Sequence, residues 1–454
     1  MTREQQVPMR MLPTEVAVTT FDEVPLGYSR DEAMAEAQRA GDYDFAASQA
    51  ACPFGVDLTG LVRGIAAGDF DAALGTVLAA HPWPGILGRH CHAPCVQAHN
   101  LGPRIEGINL GALERAAADH GDRSRFPFQP GAPTGRHVAI IGAGSAASAA
   151  AYRLRQCGHA VTIYEQLPVS GGMMFTGYPN FRLPLAVLRA ENTPEAWGVE
   201  MRYNVRVDTG LVERLVAEYD AVLLGTGKFK EVRMNIPGEE LEGVWSALDF
   251  LTQFKLGNTP QVGPRVVVAG AGYTAQDSSR TCVRLGHRVQ VLYRRTKQEM
   301  PVLPFLRDKF VARQAAEGAP YVFQTTPVRI LGEHGRVVGV ECVRTEPGPL
   351  DESGRPEAVP VPGSHFVIEC DTVIEATGEE VDLSFLPAAV QLKDGRHIAV
   401  DELWMTSLPK LFAAGEMTGI SGTWRAFASG FRAADGIDRY VRSGEGVAAA
   451  AERR

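Results

Sequence analysis

Apolar positions divide the chain into a helical front and an αβ back. Residues 1–27 show no helical stripe and are interrupted by Pro8, Pro13 and Pro25, so they read as an extended N-terminal arm. From Ser29 the spacing turns helical, in DEAMAEAQRA, LTGLVRGIAAG and FDAALGTVLAAH, with Asp69 and Asp71 placed to cap and charge the start of the third helix. Beyond Gly131 the period changes. Val138-Ala139-Ile140-Ile141 is a β-branched run of the kind buried in a parallel sheet. It leads into Gly142-Ala-Gly144-Ser-Ala-Ala147, a small-residue helix, Gly158 as a helix stop, and a second strand, Val161-Thr-Ile163-Tyr, that ends on Glu165.

Each element of that stretch suits a dinucleotide. Gly142 permits the tight turn, Gly144 lets backbone approach a pyrophosphate, and Ala147 keeps helix close to sheet. Glu165, 23 residues after Gly142, is spaced to accept from a ribose hydroxyl. The device recurs from Pro264 to Arg295, with Gly270, Gly272 and Ala275, a stop at Gly286, and a second strand ending in Tyr293-Arg294-Arg295. Two arginines instead of an acid suit a 2′-phosphate, which favours NADP(H) over NAD(H) for the second site. The first site reads as the flavin site. Gly171-Gly172 follow Glu165, Ala376-Thr377-Gly378 end a strand, and Ala413-Ala-Gly415-Glu416 come later, so the first sheet is expected to be completed by C-terminal residues around an inserted second domain.

The expected fold class is α/β: two Rossmann-like domains, the NAD(P) domain inserted in the FAD domain, after a small α-helical ferredoxin-like domain. The arm spans 1–27 and the helical domain 28–130. The FAD domain is expected in two segments, 131–229 and 373–454, on either side of the NAD(P) domain at 230–372. A length of 454 residues, 45% of them apolar, accommodates about three cores. The net charge of −8 argues against nucleic acid as a partner. Without an 18-residue apolar run or a signal-peptide core, a soluble, cytoplasmic protein with no membrane partner is expected. Of seven cysteines, Cys157, Cys282, Cys342 and Cys370 read as small buried hydrophobes. Cys52, Cys91 and Cys95 lie in Pro- and Gly-flanked loops, as iron–sulfur ligands do, while His90, His92 and His99 beside them keep a zinc site open.

These residues carry a resemblance. Gly88-Arg89-His-Cys91…Pro94-Cys95, Tyr178-Pro-Asn-Phe181-Arg182-Leu-Pro184, Ile236-Pro-Gly238, Gly270-Ala-Gly272-Tyr-Thr274-Ala-Gln-Asp277, Tyr293-Arg-Arg295 and Glu299-Met-Pro301 are similar to the small subunit of bacterial glutamate synthase and its relatives. Those relatives include the N-terminal region of dihydropyrimidine dehydrogenase and NADH-dependent ferredoxin:NADP oxidoreductases, and the match runs from about residue 30 to 440. The resemblance implies an outer FAD domain, an inserted NAD(P)H domain and a helical domain with two [4Fe–4S] clusters. Here four of the family's cysteines are missing: residues 42–51 have none, and His99 stands at the last position. The resemblance therefore implies at most one [4Fe–4S] cluster, on Cys52, Cys91, Cys95 and Glu114, with His99 as the alternative fourth ligand.

The resemblance also places Gly142, Gly144, Glu165, Gly172, Arg182, Thr226, Gly227, Thr377, Gly378, Gly415 and Glu416 around FAD, where the family usually has Asp in place of Glu416. A helix starting near Thr423 is expected to aim its positive end at the flavin. No CxxC pair or nucleophile–base motif occurs, so the cofactors carry the chemistry and no catalytic side chain is expected. The implied function is an electron-transfer subunit passing electrons between NAD(P)H and the clusters of an iron–sulfur partner or larger oxidoreductase complex: glutamate synthase-like, ferredoxin, or a tungsten or molybdenum enzyme. The alternatives are a self-contained small-molecule reductase and a retired flavoprotein scaffold. The hairpins expected between Pro327 and Asp371, turning at Glu333–Gly335 and Asp351–Gly354, read as a surface elaboration without chemistry.

Overall fold

The computed structural model describes residues 5–98, 106–351 and 354–443. Two five-stranded parallel sheets form its centre. In the first, the strands run Leu411–Ala413, Ala221–Leu224, His137–Ile141, Ala160–Tyr164, Glu200–Arg202. The middle strands are buried on both faces, which is why they read as unbroken β-branched runs. A C-terminal strand completes this sheet, as the sequence implies. The small residues after the first fingerprint serve packing: helix Ser145–Gln156 lies against helix Thr423–Ser443 so closely that a Cβ on Gly430 would stand 2.1 Å from the Ala146 carbonyl oxygen.

The second sheet runs Tyr321–Phe323, Arg288–Tyr293, Arg265–Ala269, Thr372–Glu375, Val244–Ser246. The boundary expected at 372/373 is corrected here. Thr372–Glu375 pairs along its whole length with Arg265–Ala269 and with Val244–Ser246, so the inserted unit extends through Glu375. An antiparallel ribbon, Lys228–Glu231 with Glu379–Val381, then joins the two units.

The expected hairpins are present as Thr325–Glu333, Arg336–Leu350 and Pro356–Pro360, with Phe366–Glu369 pairing Gly339–Cys342. The first turn uses left-handed His334 and Gly335 (φ 52° and 80°). Glu352 and Ser353 of the second lie outside the described residues.

The helical front contains Arg30–Gln38, Leu58–Ala66, Phe70–Leu78 and Leu110–His120, capped by Ser29, Asp57, Asp69 and Asn109. Their apolar faces close on Leu61, Ile65, Phe70, Leu74 and Leu113. Among the described residues no helix is long and apolar enough to cross a membrane.

The arm is not simply extended. Its described residues pair Arg10–Met11 with Pro25–Gly27 around a single helical turn, Thr14–Ala17. It straps three units together. The Phe21 ring lies 6.4 Å from Phe181 of the first nucleotide unit and 4.9 Å from Phe254 of the second. Glu23 accepts from Arg89 at 2.8 Å and pairs with Arg115 at 3.1 Å, both on the helical front. No periodic pattern announces these contacts, because the arm's apolar residues Leu12, Ala17, Phe21 and Val24 gather on Phe181, far away in the chain.

Arg89 and Arg115 are only 5% and 4% exposed at the side chain, so removing Glu23 leaves two buried guanidiniums dependent on Asp119. Glu23→Ala is expected to cost about 3 kcal/mol. It should lower the first thermal transition and speed proteolysis within residues 5–28; an unchanged transition and digestion rate would show that Asp119 suffices.

Candidate functional site: a dinucleotide cavity walled by a cysteine loop

A cavity of 1330 Å³ opens where the carboxyl ends of both sheets face each other. The two fingerprints shape it in the same way. Gly142 adopts φ +93°, and a Cβ there would stand 2.7 Å from the carbonyl oxygen of Gly225; Gly270 adopts φ +144°, and its Cβ would stand 2.2 Å from that of Ala376. In each case the first glycine is required by the protein itself. The second is not. A Cβ on Gly144 meets nothing nearer than Gly172 Cα at 3.9 Å, and one on Gly272 nothing nearer than Pro301 Cγ at 3.8 Å. Gly144 lines the cavity, and the space its side chain would fill belongs to that cavity. Ala147 and Ala275 are fully buried behind the turns, each on a helix whose N-terminus starts at the second glycine. This is the shape that a pyrophosphate fits.

Around the first fingerprint, Glu165 Oε2 accepts from the Ala143 amide and Oε1 from the Leu167 amide, both at 2.8 Å. Burial nevertheless pushes its carboxyl upward. These bonds fix its orientation while it faces the cavity, as a ribose partner requires. Gly172 (φ +49°) brings the next loop against Gly144, where a Cβ would stand 2.7 Å from Gly144 Cα. Thr226, Gly227, Gly415 and Glu416 line the same side. Glu416 is ion-paired at 2.8 Å with Lys228, a residue that no sequence motif marked. Helix Thr423–Ser443 starts at the cavity, with Thr423 Oγ1 2.8 Å from the Tyr178 hydroxyl.

Three placements differ from expectation. Arg182 lines the cavity, but its guanidinium is ion-paired with buried Asp277 of the second unit and lies 4.9 Å over the Tyr178 ring, so it joins the two nucleotide units. Thr377 and Gly378 leave the second sheet, not the first: they repeat the positions of Thr226 and Gly227 one unit later. Gly378 lines the cavity, whereas Thr377 is exposed and donates its hydroxyl to the Val232 carbonyl. Arg295 is buried, bonded to Asp351 at 2.5 Å and to the Pro356 carbonyl at 2.7 Å, and neither it nor exposed Arg294 lines the cavity. The elaboration thought to lack chemistry instead sends Arg355 into the cavity wall.

On the helical front, Cys52 follows helix Ala46–Ala51, Cys91 ends helix Pro84–His90, and Cys95 lies in the turn Pro94–Gln97. All three are half-buried free thiols. Glu114 approaches from helix Leu110–His120, where the sequence placed it. Burial and the neighbouring Glu114 push the Cys95 thiol up to about 12 and Cys91 higher still; burial also drives the Glu114 carboxyl well above its usual range. Glu114 Oε1 is buried without a hydrogen-bond partner, and His81 Nε2 stands 3.5 Å away. Three thiols beside an unsatisfied buried carboxyl oxygen fit an iron–sulfur cluster. Among the described residues no group of three or more His, Cys, Asp or Glu side chains is placed to hold a single metal ion. His99 lies outside the described residues.

His90 and His92, on either side of Cys91, both line the dinucleotide cavity. His90 stacks on Tyr178 (4.4 Å, 6°) and His92 on Tyr273 (6.0 Å, 23°). The cysteine loop is therefore a wall of the cavity. No local signal could reveal this, since each ring pairs with one far away in the chain.

Comparison with known proteins agrees with this architecture. Residues 136–434 match the pyridine nucleotide-disulphide oxidoreductase family, and residues 17–125 match dihydropyrimidine dehydrogenase domain II, 4Fe-4S cluster. The chain is 35% identical over 424 residues to the NADP(+)-dependent formate dehydrogenase subunit beta of Moorella thermoacetica, covering 87% of this chain and 59% of that one. It is 34% identical to the NADPH-Fe(3+) oxidoreductase subunit beta of Geobacter sulfurreducens, covering 87% and 63%. The chain thus spans about three fifths of these two relatives. The Escherichia coli glutamate synthase [NADPH] small chain is 34% identical, with 79% and 80% covered. Among solved structures, Mycobacterium tuberculosis FprA in complex with NADPH superposes with a TM-score of 0.55 at 19% identity over 68% of this chain and 85% of that one, a likeness of fold. With two framed fingerprints facing one cavity and matches of this extent, the chain belongs to the pyridine nucleotide-disulphide oxidoreductase family, preceded by a helical domain of the 4Fe-4S type.

Proposed function

We propose that the chain is a flavin-containing electron-transfer subunit that exchanges electrons between a pyridine nucleotide and the iron–sulfur centres of a partner protein. The observation that carries this reading is the shared wall: His90 and His92 face the dinucleotide cavity while Cys91 between them belongs to the thiol group. A route from a two-electron site to a one-electron site needs such adjacency. The names of the relatives, subunits of formate dehydrogenase, iron reductase and glutamate synthase, support a partner of this class, and a cytoplasmic setting suits thiols that must stay reduced.

When bound, FAD and a nicotinamide dinucleotide supply hydride exchange, and a [4Fe–4S] cluster supplies single-electron transfer. The protein's own residues bind and orient. Gly142, Gly144, Gly172, Thr226, Gly227 and Gly415 would hold FAD, with Glu165 on its ribose and Glu416, fixed by Lys228, beside it. The N-terminus of helix Thr423–Ser443 would place a positive field at the flavin ring. Gly270, Gly272, Ala275 and Gly378 would hold the nicotinamide nucleotide, and the Arg182–Asp277 pair would keep the two sites in register. Cys52, Cys91, Cys95 and Glu114 would ligate the cluster.

Two measurements test the flavin site and the cluster site separately. A Cβ at position 144 meets no protein atom nearer than 3.9 Å and the residue sits in extended backbone (φ −79°, ψ −170°), so in Gly144→Val the fold should persist while FAD is excluded. The expected result is an unchanged circular-dichroism melt of the apoprotein with flavin absorbance lost after reconstitution; retained flavin would remove Gly144 from the pyrophosphate site. For the cluster, anaerobically purified protein should contain close to four irons and four sulfides per flavin, and Cys91→Ala should lose them while keeping FAD. No iron in the intact protein would refute this ligand set.

A further inference from the structure

Helix Pro84–His90, which leads into Cys91, belongs by sequence to the helical front, but its apolar residues do not join that domain's core. Trp83, Ile86 and Leu87 belong to the buried core of the flavin unit, with Ile140, Ala147, Leu188 and Phe427, and the Trp83 ring lies 4.1 Å from that of Phe427. The helix also meets Leu110–His120 so closely that a Cβ on Gly88 would stand 2.5 Å from the Arg115 amide nitrogen. It is therefore held between the flavin unit and the element that carries Glu114.

The start of this helix has no cap of its own. Its N-cap residue is Trp83, whose side chain makes no capping bond, and Pro84 has no amide hydrogen. The next two amides find their acceptor far along the chain, in a single residue of the flavin unit. Glu191 Oε1 accepts from the Gly85 amide at 2.7 Å and Oε2 from the Ile86 amide at 2.8 Å. Glu191 ends helix Leu185–Glu191 and is 5% exposed. Arg123 completes the clasp: its Nη1 stands 3.5 Å from Glu191 Oε1, and its Nη2 donates to the Pro82 carbonyl at 2.8 Å.

Burying this carboxylate is costly. Burial pushes its pKa up to about 7, although Arg123, the two amides and Arg89 pull the other way. Apolar packing would join the two domains at lower cost. What the carboxylate adds is direction, because two charge-assisted bonds from successive amides fix the helix axis against the flavin unit. At its far end that axis delivers His90 to the cavity wall and Cys91 to the thiol group. Glu191 itself does not line the cavity.

We propose that Glu191 is a positioning residue: by capping helix Pro84–His90 from the flavin unit, it fixes Cys91 against the dinucleotide cavity and so sets the rate at which electrons pass between flavin and cluster. The inference rests on the electron-transfer reading above, and assigns to that transfer a residue remote from both cofactor sites.

Two variants test it from opposite sides of the contact. Glu191→Gln keeps the shape but removes the charge and one acceptor. Gly85→Ala leaves Glu191 in place, yet its Cβ would stand 2.8 Å from Glu191 Oε1 and 3.1 Å from Val187 Cγ1, while alanine otherwise favours the helix. Full-length protein loaded with FAD and iron is compared well above the Glu191 pKa, where the carboxylate is ionised. Hydrogen exchange at the residue 85 and 86 amides, read by mass spectrometry, should accelerate about tenfold or more in both variants. FAD and iron contents should be retained, and flavin reduction by NADPH should stay within about twofold of wild type. The following transfer from flavin to cluster, resolved by stopped-flow absorbance, should slow about tenfold or more. Unchanged exchange would overturn the cap. Faster exchange with unchanged transfer would overturn the positioning role and leave a structural cap only. Slowed flavin reduction would overturn it too, by placing the effect at the flavin. Absence of iron from the wild type would overturn the cluster reading together with the transfer role, while the exchange measurement would still decide the cap.

Discussion

Everything in the αβ region depends on a close approach made twice. The first glycine of each fingerprint turns under the carbonyl of a residue leaving the neighbouring strand: Gly142 under Gly225, Gly270 under Ala376. No side chain could fit there, and both glycines occupy the left-handed region. That tight turn starts the following helix directly above the strand end. Its first turn then lines the cavity, through the bare backbone of Gly144 in the first unit and through Tyr273 and Thr274 in the second, and Ala147 and Ala275 allow the helix to stay close. Later segments complete the frame. The Gly172 turn packs on Gly144, and strand Leu411–Ala413 delivers Gly415 and Glu416 to the same edge.

The two nucleotide units would face each other only loosely if the antiparallel ribbon were their sole connection. Buried charge locks them. Phe181, fully buried in the first unit, lies beneath the guanidiniums of Arg280 and Arg284 of the second, at 4.6 and 4.1 Å, and both arginines share an ion pair with Glu317. Next to it, Arg182 pairs with Asp277. The arm seals the other side of Phe181 through Phe21 and reaches the helical front through Glu23. One short motif, Tyr178 to Pro184, thereby touches the cysteine loop, both nucleotide units and the arm. It carries no redox group, yet it sets the relative position of every group that does.

Much of this was legible in the chain because the determinants are local. A fingerprint needs a buried strand, two glycines of different purpose, a small-residue helix and a second strand, all within about thirty residues. The helical front was equally plain, since the periods of Leu58–Ala66, Phe70–Leu78 and Leu110–His120 and their Asp or Asn caps lie in consecutive residues. Cys52, Cys91 and Cys95 lie near enough to Glu114 to feel its charge, although Glu114 was placed only through resemblance to relatives.

The sequence by itself therefore determined two dinucleotide turns, their order, the acid at Glu165 and the helical domain ahead of them, because turn sterics and hydrophobic period act between near neighbours. Only the tertiary structure decided which sheet receives Thr372–Glu375. That strand and Leu411–Ala413 are both short and wholly buried, so nothing in their local pattern tells one parallel partner from another. It likewise decided that Arg295 holds a hairpin, that Arg355 reaches the cavity, and that the histidines beside Cys91 wall the nucleotide site. A charged or aromatic side chain is chemically competent for several roles, and which one it takes depends on partners that chain folding brings from far away in the sequence.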